Sequence, residues 1–300
     1  PFFNKYNLTR KEVLYVTHDK DITEKHFEAI NAIFADIFNV LVFHGDQVLH
    51  PDDLSDATAR SQIKVDGGIH EQERDVAKVW KSPGGPMILA LCGVENQTAP
   101  DPDIALRCIA YDGATYKQQV NQHNRKTEKS LPTYPAITLV LYFGTKPWTK
   151  GRTLFDSFDV KIDSRMKPYI HDYSANIIEM TQLPPETVNL CRSDFRYLVD
   201  WAIKSASQEN PYDLVDGPID YPDELFKLMS VLAGDHRFED AYNNVKLNGT
   251  KEDVRMCNVV NNIEAHKAYQ IAVSLFKKGV NPETIKDVIK ENVPDFSDEQ

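Results

Sequence analysis

Apolar positions fall into two kinds of run along this chain. Two stretches, MILALCGV (87–94) and YPAITLVLYFG (134–144), are apolar without alternation, which predicts strands buried on both faces. Ahead of the first lies ERDVAKVW (73–80), joined to it by KSPGGP (81–86). Pro83 and Pro86 fix φ while Gly84 and Gly85 allow the positive φ of a tight reversal, so the pair reads as a hairpin. The other kind is helical. From Thr23 to Phe43, the residues Phe27, Ile30, Ile33, Phe34, Ile37, Phe38, Leu41 and Val42 recur at helical spacing, and His44-Gly45-Asp46 ends the run. A second helix is expected after Thr98–Asp103, with Asp101 as N-cap and Pro102 at the first position, carrying Ile104, Leu106, Arg107, Ala110, Tyr111 and Ala114 through about Gln119. A helix between two buried strands implies a crossover connection.

The pattern changes after about Leu154. A strand-like Phe158–Ile162 gives way to Pro184-Pro185, and helical periods follow at Val188–Ala206, Asp223–Ala233, Lys251–Lys278 and Pro282–Val293. Asn281 caps the last of these and Gly279 closes the one before it. The reading is an α/β core over 20–165, a mixed sheet flanked by helices, then a helical C-terminal region over 183–300.

Composition narrows the function. Hydrophobic content of 41% and charged content of 26% are ordinary for a globular chain, and no apolar run is long enough to cross a membrane. The amino end shows no charged, apolar, small-residue leader. Cys92, Cys108, Cys191 and Cys257 are far apart with no CxxC, which fits reduced thiols and a cytoplasmic protein, and the nine His residues show no metal-binding spacing. A net charge of −11 argues against indiscriminate binding of nucleic acid. Any such contact must be local, and between Ala114 and Leu154 the bases Lys117, Arg125, Lys126, Lys129, Lys146, Lys150 and Arg152 are opposed only by Glu128.

The chemistry concentrates in the hairpin. Folding about Gly84 and Gly85 brings Asp75 opposite Glu95 to within about one residue of register, with Cβ atoms ~5 Å apart if directly paired, and Gln97 shares the face of Glu95. Two carboxylates that close repel, so one takes a proton or a cation sits between them, unless they simply line a solvated hairpin face. On the following helix, Arg107 and Tyr111 are four apart and share a face. Arg107 either grips a phosphate with two hydrogen bonds, or is buried against Asp112 or another acid. Asp36 lies beside the apolar face of the first helix, where a capping neighbour would satisfy it.

ERDVAKVW, GVENQT, DPDIALRCIAYDGATYKQQ and YPAITLVLYFG together resemble the PD-(D/E)xK nuclease superfamily, and within it the bacterial recombination-promoting nuclease/putative transposase family. The resemblance is strong from Phe34 to Gly144 and patchy beyond, though LAGDHRFED (232–240) also looks family-like. Asp75 matches the first acid of the superfamily pattern and Glu95-Asn96-Gln97 its Glu-x-Lys, with Gln97 in the Lys position and Arg74 where the superfamily's name expects Pro. The resemblance implies a restriction-endonuclease-like core and a metal-dependent DNA endonuclease. Asp75, Glu95 and the Asn96 carbonyl would hold Mg²⁺ or Mn²⁺, Gln97 would orient the attacking water, and Asp36 would approach the metal from the first helix. Arg107, Tyr111, Lys117, Arg125, Lys126 and Lys129 would meet DNA. The alternatives are a non-catalytic DNA-binding relative, or a protein-interaction relative built on the acidic helical region, through which a homo-oligomer could form.

Overall fold

The computed structural model describes residues 25–57, 60–65, 68–125, 132–149, 151–207, 209–234, 236–248 and 254–292. It divides into two compact units, and the one carrying the sheet runs through residue 208, past the expected 165.

The first unit is built on a mixed five-stranded sheet. Strands β1 (Leu54–Asp56), β4 (Val76–Lys81), β5 (Ile88–Gln97), β6 (Ala136–Tyr142) and β7 (Asn176–Glu179) lie side by side in that order. β4 is antiparallel to both β1 and β5, whereas β6 runs parallel to β5 and β7 parallel to β6. Strands β2 (Arg60–Val65) and β3 (Gly68–Glu73) form a separate antiparallel hairpin. The unalternating apolar runs do become the central strands, with Ala90 to Glu95 of β5 and Thr138 to Tyr142 of β6 buried. The chain is therefore an α/β protein with a restriction-endonuclease-like core.

The expected hairpin between β4 and β5 closes as Ser82 N donates to Met87 O at 2.8 Å and Gly85 N to Ser82 O at 2.9 Å. Only Gly84 takes positive φ, at 62°. At Gly85 a Cβ would stand 2.6 Å from Ser82 Oγ, a contact that rotation of that hydroxyl relieves, so the turn demands glycine at 84 rather than at 85.

Helix α1 (Asn31–Leu41) packs Phe34 over the sheet, where the Lys78 ammonium stands 5.8 Å from the centre of its ring. The expected 23–43 helix is interrupted: residues 25–28 make a helical turn, and Ile30 is extended ahead of α1. Helix α2 (Ile104–Arg125) makes the crossover from β5 to β6. Its entry follows the sequence reading, with Asp101 Oδ1 accepting from Asp103 N at 2.9 Å. Ile104 and Cys108 of α2 join Val140, Tyr142 and Trp148 in one core cluster. Phe158–Ile162 is not a strand; Val160 is 73% exposed, and the sheet takes its last strand from Asn176–Glu179 instead. Val188–Ala206 is divided into a 3₁₀ segment, Pro185–Leu190, and helix α3 (Phe195–Ala206).

The second unit is helical: α4 (Pro222–Ala233), α5 (Arg237–Asn248), α6 (Met256–Lys277) and α7 (Pro282–Asn292). Its Asn281 cap is as expected, with Oδ1 accepting from Thr284 N at 2.9 Å, and Gly279 ends α6 at φ 78°. The α5 helix takes up the last four residues of the family-like segment, Arg237 to Asp240, and packs Phe238 on Phe226. Among the described residues no helix is long and apolar enough to cross a membrane, and all four cysteines are free thiols.

Candidate active site

Strand β5 organises the site through its alternation. Leu91 N donates to Pro135 O and Phe143 N to Gln97 O, so odd-numbered residues of β5 turn their backbone groups to β6 and even-numbered ones toward β4. The β4 ladder begins with Val76 opposite Val94, which puts Asp75 across from Glu95 and leaves Asn96 just past the last paired residue. Asn96 N donates instead to Asp75 Oδ2 at 2.8 Å, and its carbonyl faces the same vacated edge. The Asn96 side chain points to the other layer, where Nδ2 donates to Glu28 Oε2 at 2.8 Å.

Two cations close on the two acids. Lys25 Nζ lies 3.3 Å from Asp75 Oδ1. Arg107, on α2, donates through Nη2 to Glu95 Oε1 and through Nη1 to Asp101 Oδ2 at 2.9 Å, and its Nη2 is 3.3 Å from the Tyr111 hydroxyl. The repulsion between close carboxylates is thus relieved in this structure by side-chain cations. Relief is incomplete. Glu95 Oε2 and Asn96 Oδ1 are both buried without a hydrogen-bond partner. Burial first and the charge of Asp75 second push the Glu95 carboxyl up to about 8, against the opposing pull of Arg107, Lys25 and Arg74. Burial and the charge of Glu95 likewise push the Tyr111 hydroxyl up to about 12.

A hard divalent cation suits these residues. Two carboxylates, one with an unsatisfied buried oxygen, and a backbone carbonyl at the edge give the oxygen donors that Mg²⁺ takes from proteins while keeping several waters. Among the described residues, no group of three or more His, Cys, Asp or Glu is arranged to hold a metal by side chains alone. The carbonyl and water would therefore have to complete the set.

One turn further along α2 lies a second buried network of charges. Arg74 Nη2 donates to Asp112 Oδ1 at 2.8 Å, Nε to Thr138 Oγ1 at 3.1 Å and Nη1 to Thr115 Oγ1 at 3.3 Å, and its guanidinium covers the Tyr111 ring. Thr138 Oγ1 and Tyr173 Oη in turn donate to Asp112 Oδ1 and Oδ2, at 2.9 and 2.8 Å. The Arg74 side chain crosses β5 at Gly93, where a Cβ would fall 2.5 Å from Arg74 Cδ.

Arg107 and Tyr111 share a face and touch, as their spacing predicts. Arg107 pairs with Glu95 and Asp101, however, while Asp112 is taken by Arg74. Asp36, expected to approach the metal, turns Oδ2 to Arg192 N, Ser193 N and Ser193 Oγ at 2.7 to 2.9 Å, fixing α1 to the segment ahead of α3, while its Oδ1 is buried without a hydrogen-bond partner. Glu28 is the acid from the first helical segment that reaches Asn96. Gln97 is half-buried beside Glu95 on the same strand face, and Lys117 is exposed on α2. Arg125 ends α2, but its side chain, together with Lys126 and Lys129, lies outside the described residues. Sequence reasoning missed Glu28, Lys25 and the Arg74 network. A charged residue directly after Phe27 in an apolar run was the one available signal for Glu28.

Comparison with known proteins gives one family. Residues 65–216, a little over half of the chain, match the family described as "Putative transposase, YhgA-like". No curated protein and no solved structure matches the chain. The matched span contains β4, β5, α2, β6 and β7, and with them every residue of the acid pair and of the Arg74 network. The chain belongs to the YhgA-like transposase family, whose architecture is that of the PD-(D/E)xK nucleases.

Proposed function

We propose that this protein is a metal-dependent DNA endonuclease that hydrolyses phosphodiester bonds at the β4–β5 acid pair. One observation carries the reading: Asp75 and Glu95 face one another at the end of a doubly buried strand, with an unsatisfied carboxylate oxygen and a backbone carbonyl at the same edge. A carboxylate kept in such a place is costly unless it serves a cation.

Asp75, Glu95 and the Asn96 carbonyl would hold the metal, Mg²⁺ or Mn²⁺. When bound, the ion polarises the scissile phosphate and makes its water more acidic. Asp75 carries a second duty, since its Oδ2 fixes Asn96 N and so the edge on which the Asn96 carbonyl stands. Gln97, on the face of Glu95, would orient the attacking water through its amide. A neutral amide neither takes the proton nor offsets developing negative charge as an ammonium would. Arg107 and Tyr111 stand beside Glu95 to meet a backbone phosphate, and Lys117 would extend the contact along α2. The bases Arg125, Lys126 and Lys129 would carry it further.

The test is cleavage of a supercoiled plasmid with Mg²⁺ or Mn²⁺ by wild type and Glu95→Gln. The expected result is metal-dependent nicking by wild type and its loss in the variant. Equal cleavage by both overturns the site. Absence of cleavage by wild type with DNA affinity retained identifies a non-catalytic DNA-binding relative. Gln97→Lys probes the water: activity that survives assigns position 97 a donor role, and activity that collapses shows that the amide oxygen matters.

A further inference from the structure

Arg107, on α2, and Arg74, just ahead of β4, form their ion pairs at neighbouring turns of α2, yet only one of them is built to stay. The Arg74 side chain is 3% exposed and is held by Asp112, Thr115 and Thr138. The Arg107 side chain is 36% exposed, and its partner Asp101 stands at the partly exposed entry to α2. Arg107 also occupies the oxygen Oε1 of Glu95 while Oε2 stays unsatisfied. A divalent ion on Glu95 would share that carboxylate with a guanidinium.

We infer that Arg107 is a resident cation which a divalent metal must displace from Glu95, and that it moves to a backbone phosphate, so metal and phosphodiester enter the site together. The inference rests on the nuclease reading above and adds the coupling between its two ligands. A guanidinium offers a planar fork of donors that matches phosphate as well as carboxylate, so Arg107 exchanges one anion for another without losing a partner. Asp101, still bonded to Nη1, keeps the side chain at the rim while Nη2 swings. Lys25 plays the lesser part on Asp75, where it is 37% exposed.

Charge sets the sign of the test. Removing Arg107 makes Glu95 hold a proton more tightly, but a divalent ion feels the lost positive charge twice as strongly as a proton does, so metal binding gains on balance. Mn²⁺ binding to the full chain is followed by electron paramagnetic resonance without DNA, for wild type, Arg107→Gln, Arg107→Lys and Lys25→Gln, each checked by circular dichroism. Arg107→Gln should bind Mn²⁺ at least about tenfold more tightly than wild type, the scale of one charge within a few ångströms. Arg107→Lys, which keeps the charge, should remain near wild type. Should Arg107→Gln not fold, Lys25→Gln must show a gain of the same sign.

Adding a short phosphorothioate duplex, with its own Mn²⁺ binding subtracted, should tighten binding to wild type more than to Arg107→Gln, and Mn²⁺ must strengthen duplex binding by the same factor. Mn²⁺ binding by folded Arg107→Gln that is equal to or weaker than wild type overturns the competition while leaving the metal site standing. No Mn²⁺ binding by any of the proteins, with or without duplex, overturns the competition and the metal reading together.

Discussion

The two charge clusters along α2 are made from similar parts and differ in closure. Around Asp112, both carboxylate oxygens and all three arms of the Arg74 guanidinium have partners. Around Glu95, one carboxylate oxygen has none, and the arginine is a third exposed. A buried ion pair holds only when hydrogen bonds satisfy what the charges leave over, and removing one member then leaves an uncompensated charge. The Asp112 cluster meets that condition and ties β6, α2 and the start of β4 into one piece. The Glu95 cluster does not meet it, and that opening is what the proposed metal would fill.

The sharpest way to break this contrast is to remove the acids of the open cluster. Asp75→Asn and Glu95→Gln should each lower metal-dependent plasmid cleavage by roughly 10² to 10⁴, the scale of losing one positioned catalytic group. Neither change should lower the melting temperature of the metal-free protein, because each relieves repulsion between close anions. A drop of ten degrees in either would place the acid pair with the structural cluster.

The closed cluster should respond in the opposite sense. Arg74→Met leaves Asp112 buried with only Thr138 and Tyr173, so chemical denaturation should show a loss of about 3 to 5 kcal/mol. Arg107→Gln, judged by the same measurement, should cost less than about 1 kcal/mol, because Arg107 is a third exposed and the buried Glu95 left behind can hold a proton. Equal losses would erase the distinction.

Protons sharpen it next. An ordinary Glu ionises near 4.3 in the unfolded chain, whereas folded Glu95 keeps its proton to about 8. Between those values the folded state binds the extra proton, so stability contributed by this group falls as pH rises through the window. Relative to Glu95→Gln, wild type should therefore lose about 4 kcal/mol of stability between pH 5 and pH 8.5. Parallel pH profiles would contradict the burial argument. A smaller loss than that of Arg74→Met is expected for Tyr173→Phe, which removes one donor to Asp112 and should cost about 1 to 1.5 kcal/mol with cleavage unchanged.

Much of the core was legible because its signals are local. Unalternating apolar runs marked β5 and β6, Pro and Gly marked the turn between β4 and β5, and the register from that turn placed Asp75 across from Glu95. The four-residue spacing of Arg107 and Tyr111 likewise gave their contact. What the sequence withheld depends on contacts far apart in the chain. Arg74 meets Asp112 across 38 residues and Asp36 meets Ser193 across 157, and no periodicity encodes which arginine takes which acid. Helix α5 escaped because its first turns, RFEDAY, carry too little apolar spacing to stand out until Phe238 finds Phe226. The strand-like 158–162 misled for the converse reason: its side chains suit a sheet, but among the described residues it pairs with no strand, and Val160 stands exposed.

The crossing of Arg74 over Gly93 limits how this family can drift. With Arg74 in place, any side chain at 93 collides with the guanidinium stem, so a substitution at 93 is tolerated only after 74 has shortened. The reverse order meets no collision, although shortening 74 first leaves buried Asp112 without its cation and so needs a change there as well. Substitutions at the two positions should therefore be historically ordered, and relatives with a small residue or Pro at the position of Arg74 are the ones free to carry a side chain at the position of Gly93.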